Sequence, residues 1–237
     1  MEYSIKPIAY IRTDYPEKFG IPRQSGLVTG LPAYIEFEAE YKNPEAFRGL
    51  EGYSHIWLMW VFSENADADW PVTVRPPRLG GNKRVGVFAS RSPYHPNHIG
   101  LSLVRLIRIE QDKILGPVII VDGADLMDGT PIIDIKPYLP YCEAIPDAKG
   151  GFAEEVKDQT LTVIIPEKLL LMIPDDKREP LKSILSQNPK PGYQADPKRE
   201  YGLSFAGMNI KFRIEGKTLT VEGISLKKCD CGKNEKK

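Results

Sequence analysis

Three segments hold most of the side chains able to do chemistry, and all three are rich in glycine, proline and polar residues. They are FGIPRQSGLV at 19–28, VRPPRLGGNKRVGVFASRSPYHPNHIG at 74–100 and DGADLMDGTPIIDIKPYLPY at 122–141. Glycine and proline hold the backbone in conformations that ligand-binding loops require, although a β-rich fold also uses them simply to turn. The chemistry of the segments is complementary. Asp122, Asp125, Asp128 and Asp134 cluster in the third. Carboxylates there can accept hydrogen bonds from ribose hydroxyls or face a cationic centre. Arg23 in the first segment and Arg91 in the second can meet a carboxylate or phosphate with paired donors. Together these groups suit a nucleoside joined to a zwitterionic amino acid, a description that S-adenosylmethionine meets.

The middle segment lies in a strongly positive stretch. Between Trp70 and Ile109 there are seven basic residues (Arg75, Arg78, Lys83, Arg84, Arg91, Arg105 and Arg108) and no acidic one, in a chain of zero net charge. Such a stretch is either a face that binds a polyanion or a solvated surface. Tyr94, His95 and His98 are proton acceptors by chemistry alone. Pro96, between the two histidines, opposes helical geometry and no third ligand is near, so no metal site is expected. His55, beside an apolar run, reads as a hydrogen-bonded structural residue. Cys229 and Cys231 sit in a lysine-rich tail and read as incidental rather than as half a metal site or a redox pair.

The elements that must position these loops read mainly as strands. Ile5–Arg12 opens the pattern. Tyr34–Glu38 and Leu101–Ile109 alternate apolar and polar residues with the period of half-buried strands. His55–Phe62 and Val118–Val121 are apolar runs that suit fully buried ones, which makes Trp57 and Trp60 core residues and leaves Trp70 nearer the surface. Asn43-Pro44 before EAFRGL predicts a short helix with Asn43 as its N-cap. Turn residues recur too often for βαβ units, so residues 1–150 are expected to form a barrel or closed sheet. KGGFAEEVKD, at 149–158, marks a junction. Beyond it, Glu167–Met172 and Pro180–Gln187 are helix candidates, and Ser204–Glu215 with Thr218–Ser225 reads as a hairpin. The reading is a small α+β domain at 151–226 and a flexible basic tail at 227–237.

Composition bounds the rest. Of the 237 residues, 41% are apolar and 27% charged, the balance of a soluble globular chain with a sizeable core. The longest apolar run, Ile56–Phe62, falls far short of the roughly 20 residues that cross a bilayer. The N-terminus lacks a signal-peptide pattern. Three cysteines without framework spacing point to a reducing cytoplasm.

The ordered motifs PRQ-x-G, RGLEG-x-SH-x-W, T-V-RPPRLGGN, GVFA-x-RS, PN-x-IG-x-SLV and D-x-x-DGTP-x-x-DIKPY-x-P, over residues 5–145, resemble the TrmO family of tRNA methyltransferases (YaeB/TsaA-like). The C-terminal part resembles the family's small second domain more loosely. The resemblance implies a TsaA-like β-barrel that binds S-adenosylmethionine, a homodimer, and tRNA as partner. It implies methylation of the exocyclic nitrogen of threonylcarbamoyladenosine, 3′ of the anticodon. Donor-site residues carried over are Pro22, Arg23, Gln24, Ser63, Glu64, Arg91, Leu101, Asp125, Leu126, Met127 and Asp128. Where this chain has Ser63-Glu64, family members often have His-Gln. Arg75, Arg78, Lys83 and Arg84 are the RNA-binding candidates, and the catalytic base has no assignment.

The chemistry of that acceptor suits the residues. Its nitrogen lies in a urea-like linkage, so the lone pair is delocalised and positioning must do much of the work. The nitrogen must also lose its proton, which a base or a positive field assists. A non-catalytic RNA- or nucleotide-binding module is the rival reading, and a methyltransferase acting on another small acceptor is a third. The combination of Arg23, Arg91, Asp125 and Asp128 favours the enzyme.

Overall fold

The structure, a computed structural model, describes residues 3–65, 69–79, 83–189 and 199–227, without the side chain of Arg78. The expected tail from residue 228 onward, with Cys229 and Cys231, lies outside the described residues.

Among the described residues, eight strands precede residue 140: β1 (Ala9–Arg12), β2 (Ala33–Phe37), β3 (His55–Val61), β4 (Thr73–Val74), β5 (Val85–Gly86), β6 (Ile99–Asp112), β7 (Gly116–Asp122) and β8 (Pro131–Pro137). Six of them form one antiparallel sheet in the order β1-β2-β7-β6-β3-β8. Because β8 also pairs with β1, at Ala9↔Ile132 and Tyr10↔Pro131, this sheet closes on itself. Among the described residues β4 and β5 pair with each other alone and form a small hairpin beside it. Alternation explains the closure: inward residues such as Ile11, Ile35, Ile56, Leu58, Val104 and Ile119 are fully buried and share one cluster. β3 departs from the expected fully buried run. Its burial alternates, and Trp57, which turns outward, donates from Nε1 to Glu143 Oε1 at 3.1 Å. Trp60 is buried and Trp70 exposed. Asn43 caps a 3-10 turn over Pro44–Phe47, its Oδ1 accepting the Glu45 N–H at 3.0 Å.

The second half contains α1 (Pro140–Glu143), α2 (Phe152–Val156), α3 (Glu167–Leu170) and α4 (Asp175–Ser186), with β9 (Thr162–Ile164), β10 (Tyr201–Phe205), β11 (Met208–Glu215) and β12 (Thr218–Leu226). These four strands form a sheet in the order β10-β11-β12-β9. The stretch expected as one strand at Ser204–Glu215 is two, because Ala206 and Gly207 take positive φ and make a two-residue turn with Phe205 opposite Met208. α4 starts five residues before the expected Pro180 and runs through it. Packing of Leu181, Ile184 and Leu185 into the second core outweighs the one hydrogen bond that Pro180 cannot donate.

The second core draws on residues from both sides of position 150. Tyr15, Val28 and Leu31, all in the segment between β1 and β2, pack with Leu203, Phe205, Ile210 and Phe212. Asp122, 2% exposed at the end of β7, holds that segment in place. Its Oδ1 accepts the N–H groups of Gly30 (2.8 Å) and Leu31 (3.1 Å), and its Oδ2 accepts Arg105 Nη2 at 2.9 Å. Replacing Asp122 by Ala would strand two backbone donors, while the half-exposed Arg105 guanidinium would turn to solvent. Urea unfolding of Asp122→Ala is expected to show a loss of about 2 kcal/mol, the scale for leaving buried donors unsatisfied. A loss below about 1 kcal/mol, the scale of an ordinary hydrogen bond, would remove this anchoring role.

Candidate functional site

One rim of the closed sheet gathers the C-terminal ends of β1, β3 and β7 and the N-terminal ends of β6 and β8. The connections leaving this rim form a cleft of about 470 Å³, within the usual range of small-molecule sites. Its apolar wall includes Trp60, Phe62, Ile99, Leu101 and Met127, with Trp60 and Phe62 ring centroids 4.2 Å apart. Its polar side includes Arg23, Gln24, Arg91 and Asp125. Gly100 makes room for the Trp60 indole: a Cβ there would lie 2.2 Å from the ring.

Backbone hydrogen bonds fasten the loops to one another. Gly26 N–H donates to the Gly123 carbonyl at 2.8 Å, and Leu103 N–H donates to Ser25 Oγ at 3.1 Å. A Cβ on Gly123, whose φ is +82°, would meet the backbone of Gly26 at 3.2 Å, so a bulkier residue is opposed by both conformation and space. These contacts hold 21–25 against the sheet. Arg91 Nη1 then donates to Gln24 Oε1 at 2.5 Å, linking the first two chemical segments side chain to side chain.

Asp125 is the carboxylate that the cleft receives from the third segment. Trp60 Nε1 donates to Ser102 Oγ at 3.0 Å, and Ser102 Oγ donates to Asp125 Oδ1 at 2.5 Å. Ser102 is fully buried. Loss of solvent raises the Asp125 pKa above its ordinary value, against the smaller opposing effects of the Ser102 hydroxyl, backbone amides and the nearby Arg91 charge. Ser102 was not among the sequence candidates. Its signal was a hydroxyl at an inward position of a strand otherwise alternating Gly100, Val104 and Leu106.

Nine of the eleven carried-over positions line the cleft: Pro22, Arg23, Gln24, Ser63, Glu64, Arg91, Leu101, Asp125 and Met127. Two do not. Leu126 is buried in the first core. Asp128, three residues past Asp125, faces the other side of the turn, where Oδ1 accepts the Thr13 N–H at 3.1 Å and lines a separate crevice of about 150 Å³. The four aspartates therefore do not act together. Asp122 is the buried anchor described above, and Asp134 pairs with Lys136 at 2.7 Å. The basic stretch also divides: Arg105 is bound to Asp122 and Arg108 to Glu110, while Arg75, Lys83 and Arg84 are exposed on the hairpin of β4 and β5. Of Tyr94, His95 and His98, only His95 lines the cleft. Its Nε2 donates to the Ser90 carbonyl at 2.9 Å, and His98 Nδ1 donates to Pro93 at 2.7 Å, so both rings brace the loop. His55 bonds Ser54 Oγ, as a structural residue would.

Fold and cleft thus define a mainly β protein with a mononucleotide-sized pocket of mixed charge at one rim of a closed sheet. The family model for the tRNA-methyltransferase O N-terminal domain matches residues 10–144, and that for the TrmO C-terminal domain matches residues 168–227. The chain belongs to the TrmO family. A tRNA (adenine(37)-N6)-methyltransferase of Escherichia coli (strain K12) is 38% identical over 224 residues, which is 90% of this chain and 93% of that one. A protein of the same name from Eikenella corrodens is 44% identical over 173 residues, 73% and 97% of the two chains. The crystal structure of TrmO from Pseudomonas aeruginosa superposes with a TM-score of 0.74 at 31% identity, covering 95% of this chain and 100% of that one.

The raised pKa of Asp125 fixes the sign of a pH effect. The folded state disfavours the carboxylate, so at neutral pH the charge costs stability, and the cost vanishes as pH falls through the raised value toward the ordinary one near about 3.9. Asp125→Asn is therefore expected to melt at a higher temperature than the parent at neutral pH, with the gap shrinking on acidification. Thermal unfolding across that window, without ligand, checks it; a lower melting temperature for the variant at neutral pH would contradict the desolvation argument.

Proposed function

We propose that this chain transfers a methyl group from S-adenosylmethionine to the N6 of adenosine 37 of tRNA, 3′ of the anticodon, on a base that already carries threonylcarbamoyl. The observation that carries the reading is the cleft itself, in which two arginines, one desolvated carboxylate and an apolar wall meet at one rim. These donors fit the methyl donor group by group. Arg23 and Arg91 suit its amino-acid carboxylate, Asp125 suits a ribose hydroxyl or the ammonium, and Trp60, Leu101 and Met127 suit the purine. Pro22, Gln24, Ser63 and Glu64 complete the rim. Leu126 and Asp128 support the loop from behind. When bound, S-adenosylmethionine supplies an electrophilic methyl group on a sulfonium sulfur.

The chain's own contribution is placement and field. The apolar wall keeps water from the reacting atoms, and the fastened loops hold Arg91 beside the cleft mouth in a fixed pose. A positive field there favours the deprotonated form of the urea-like acceptor nitrogen. Arg75, Lys83 and Arg84 supply phosphate contacts on the neighbouring hairpin; the same expectation for Arg78 falls on a side chain outside those described. In this reading residues 1–150 are the donor-binding β-barrel domain and 151–226 a smaller α+β domain. The protein acts as a cytoplasmic homodimer, a setting supported by its cysteine usage. Among the described residues no helix is long and apolar enough to cross a membrane.

Methyl transfer to two preparations of one tRNA tests the reaction: a bare transcript and the same RNA carrying threonylcarbamoyl. The modified RNA is expected to be methylated, and the transcript to react slower by on the order of 10⁴-fold, the penalty for a missing partner in a built polar site. Equal rates on both would remove the threonylcarbamoyl requirement. Donor binding with transfer to neither would leave a nucleotide-binding module.

A further inference from the structure

A row of aromatic rings runs out of the cleft onto the surface. His95 lines the cleft. The Phe88 ring meets it nearly edge to face, with centroids 5.8 Å apart. Trp70 lies against Phe88 at 6.3 Å, the two planes inclined by 29°. Phe88 is 74% exposed and Trp70 48%.

The hairpin accounts for this exposure. Val87, at the turn after β5, is buried, and its N–H donates to the Val72 carbonyl at 3.0 Å. The turn is anchored through Val87 and leaves its neighbour Phe88 outside. Two large aromatics side by side in solvent mark a surface that something covers. The surrounding charge indicates what. Arg75 follows β4, and Lys83 and Arg84 precede β5, all exposed on the hairpin that carries the two rings at its base; Asp69 stands beside Trp70, and no acidic residue follows it as far as Ile109. The centre of a protein–protein interface is depleted of charge. Aromatic faces set among cations are instead the composition that holds unpaired nucleic acid, bases on the rings and phosphates on the cations.

We infer that Trp70 and Phe88 form a stacking surface for unpaired bases flanking the target adenosine. The inference rests on the RNA-methylating reading above and extends it. The row of rings supplies the geometry: with the target base at the cleft, its neighbours along the strand pass His95 and reach Phe88 and Trp70. Stacking would also hold the loop open, so that the target nitrogen need not be pulled from a closed stack for each turnover.

The test uses the full chain and a threonylcarbamoylated anticodon stem–loop at one fixed salt concentration, with binding read by fluorescence anisotropy. Trp70→Ala and Phe88→Ala are each expected to weaken binding about tenfold or more, given the loss of stacking per base. Trp70→Phe retains a ring face and is expected to bind nearly as the parent does. Trp70→Leu retains apolar area without a ring face and is expected to bind as poorly as Trp70→Ala. Donor affinity by calorimetry and molar mass by light scattering are expected to stay unchanged in all four. RNA affinity equal to the parent's in both alanine variants, or in Trp70→Leu, would overturn the stacking surface. So would a change in molar mass, which would make the rings a contact between copies of the chain. A parent protein that binds no RNA would overturn the stacking surface and the methylation reading together, whereas methylation by a parent whose alanine variants bind equally well would sink the stacking surface alone.

Discussion

The carboxylate of Asp122 is taken out of water by the fold, and its donors come from parts of the chain far apart in sequence. Gly30 and Leu31 reach it from the β1–β2 segment and Arg105 from β6. A buried charge must be satisfied on all sides, so these elements have little freedom relative to one another. From that anchor the β1–β2 segment runs in two directions at once. Ile21, Pro22, Arg23 and Gln24 reach the cleft. Tyr15, Val28 and Leu31 enter the second core.

The cleft therefore depends on the second half of the chain although, among the described residues, that half contributes none of its lining. Arg23 Nη2 donates to the Asn188 carbonyl just past α4 at 3.0 Å. Lys177 Nζ meets Asp14 at 2.5 Å, and the Ser204 N–H donates to Glu17 Oε1 at 3.1 Å. Each contact joins the β1–β2 segment to α4 or to the β10–β11 sheet. These bonds give the smaller sheet a role in holding Arg23 in its place at the cleft.

Electrostatics within the site follow from unequal solvation. Asp122, with a cation and two amides around it, has its charge met inside the protein. Asp125 has the Ser102 hydroxyl at 2.5 Å, the Ser25 amide and the nearby Arg91 charge, but burial outweighs them and its charge is held at a cost. That contrast separates a carboxylate that anchors the fold from one that burial disfavours at the wall of the cleft. It also explains why the four aspartates of one segment, alike in sequence, have four different surroundings.

The strands were legible because alternation and apolar runs are local properties of the chain. β2, β6 and β7 fall close to the expected positions, and the Asn43 cap is where its residue types placed it. The long motifs likewise marked nine of the cleft positions. Other features depended on contacts between distant residues. Which aspartate faces the cleft depends on how one turn lies against Thr13 and Gly26. The burial of β3 alternates because only Ile56, Leu58 and Trp60 face the core of the closed sheet, while Trp57 on the outer face bonds Glu143 from a later helix. α4 passes through Pro180 because a core assembled from both halves outweighs local helix rules. Ser102 gained its place under Asp125 from the register of β6 against β3, and the basic stretch was divided by partners on β6 and β7. Local periodicity, turn chemistry and motif spacing determined the element types and the inventory of reactive groups; only the tertiary structure decided which of those groups share a cleft, because burial and cross-strand register are properties of pairs of residues that the linear order does not contain.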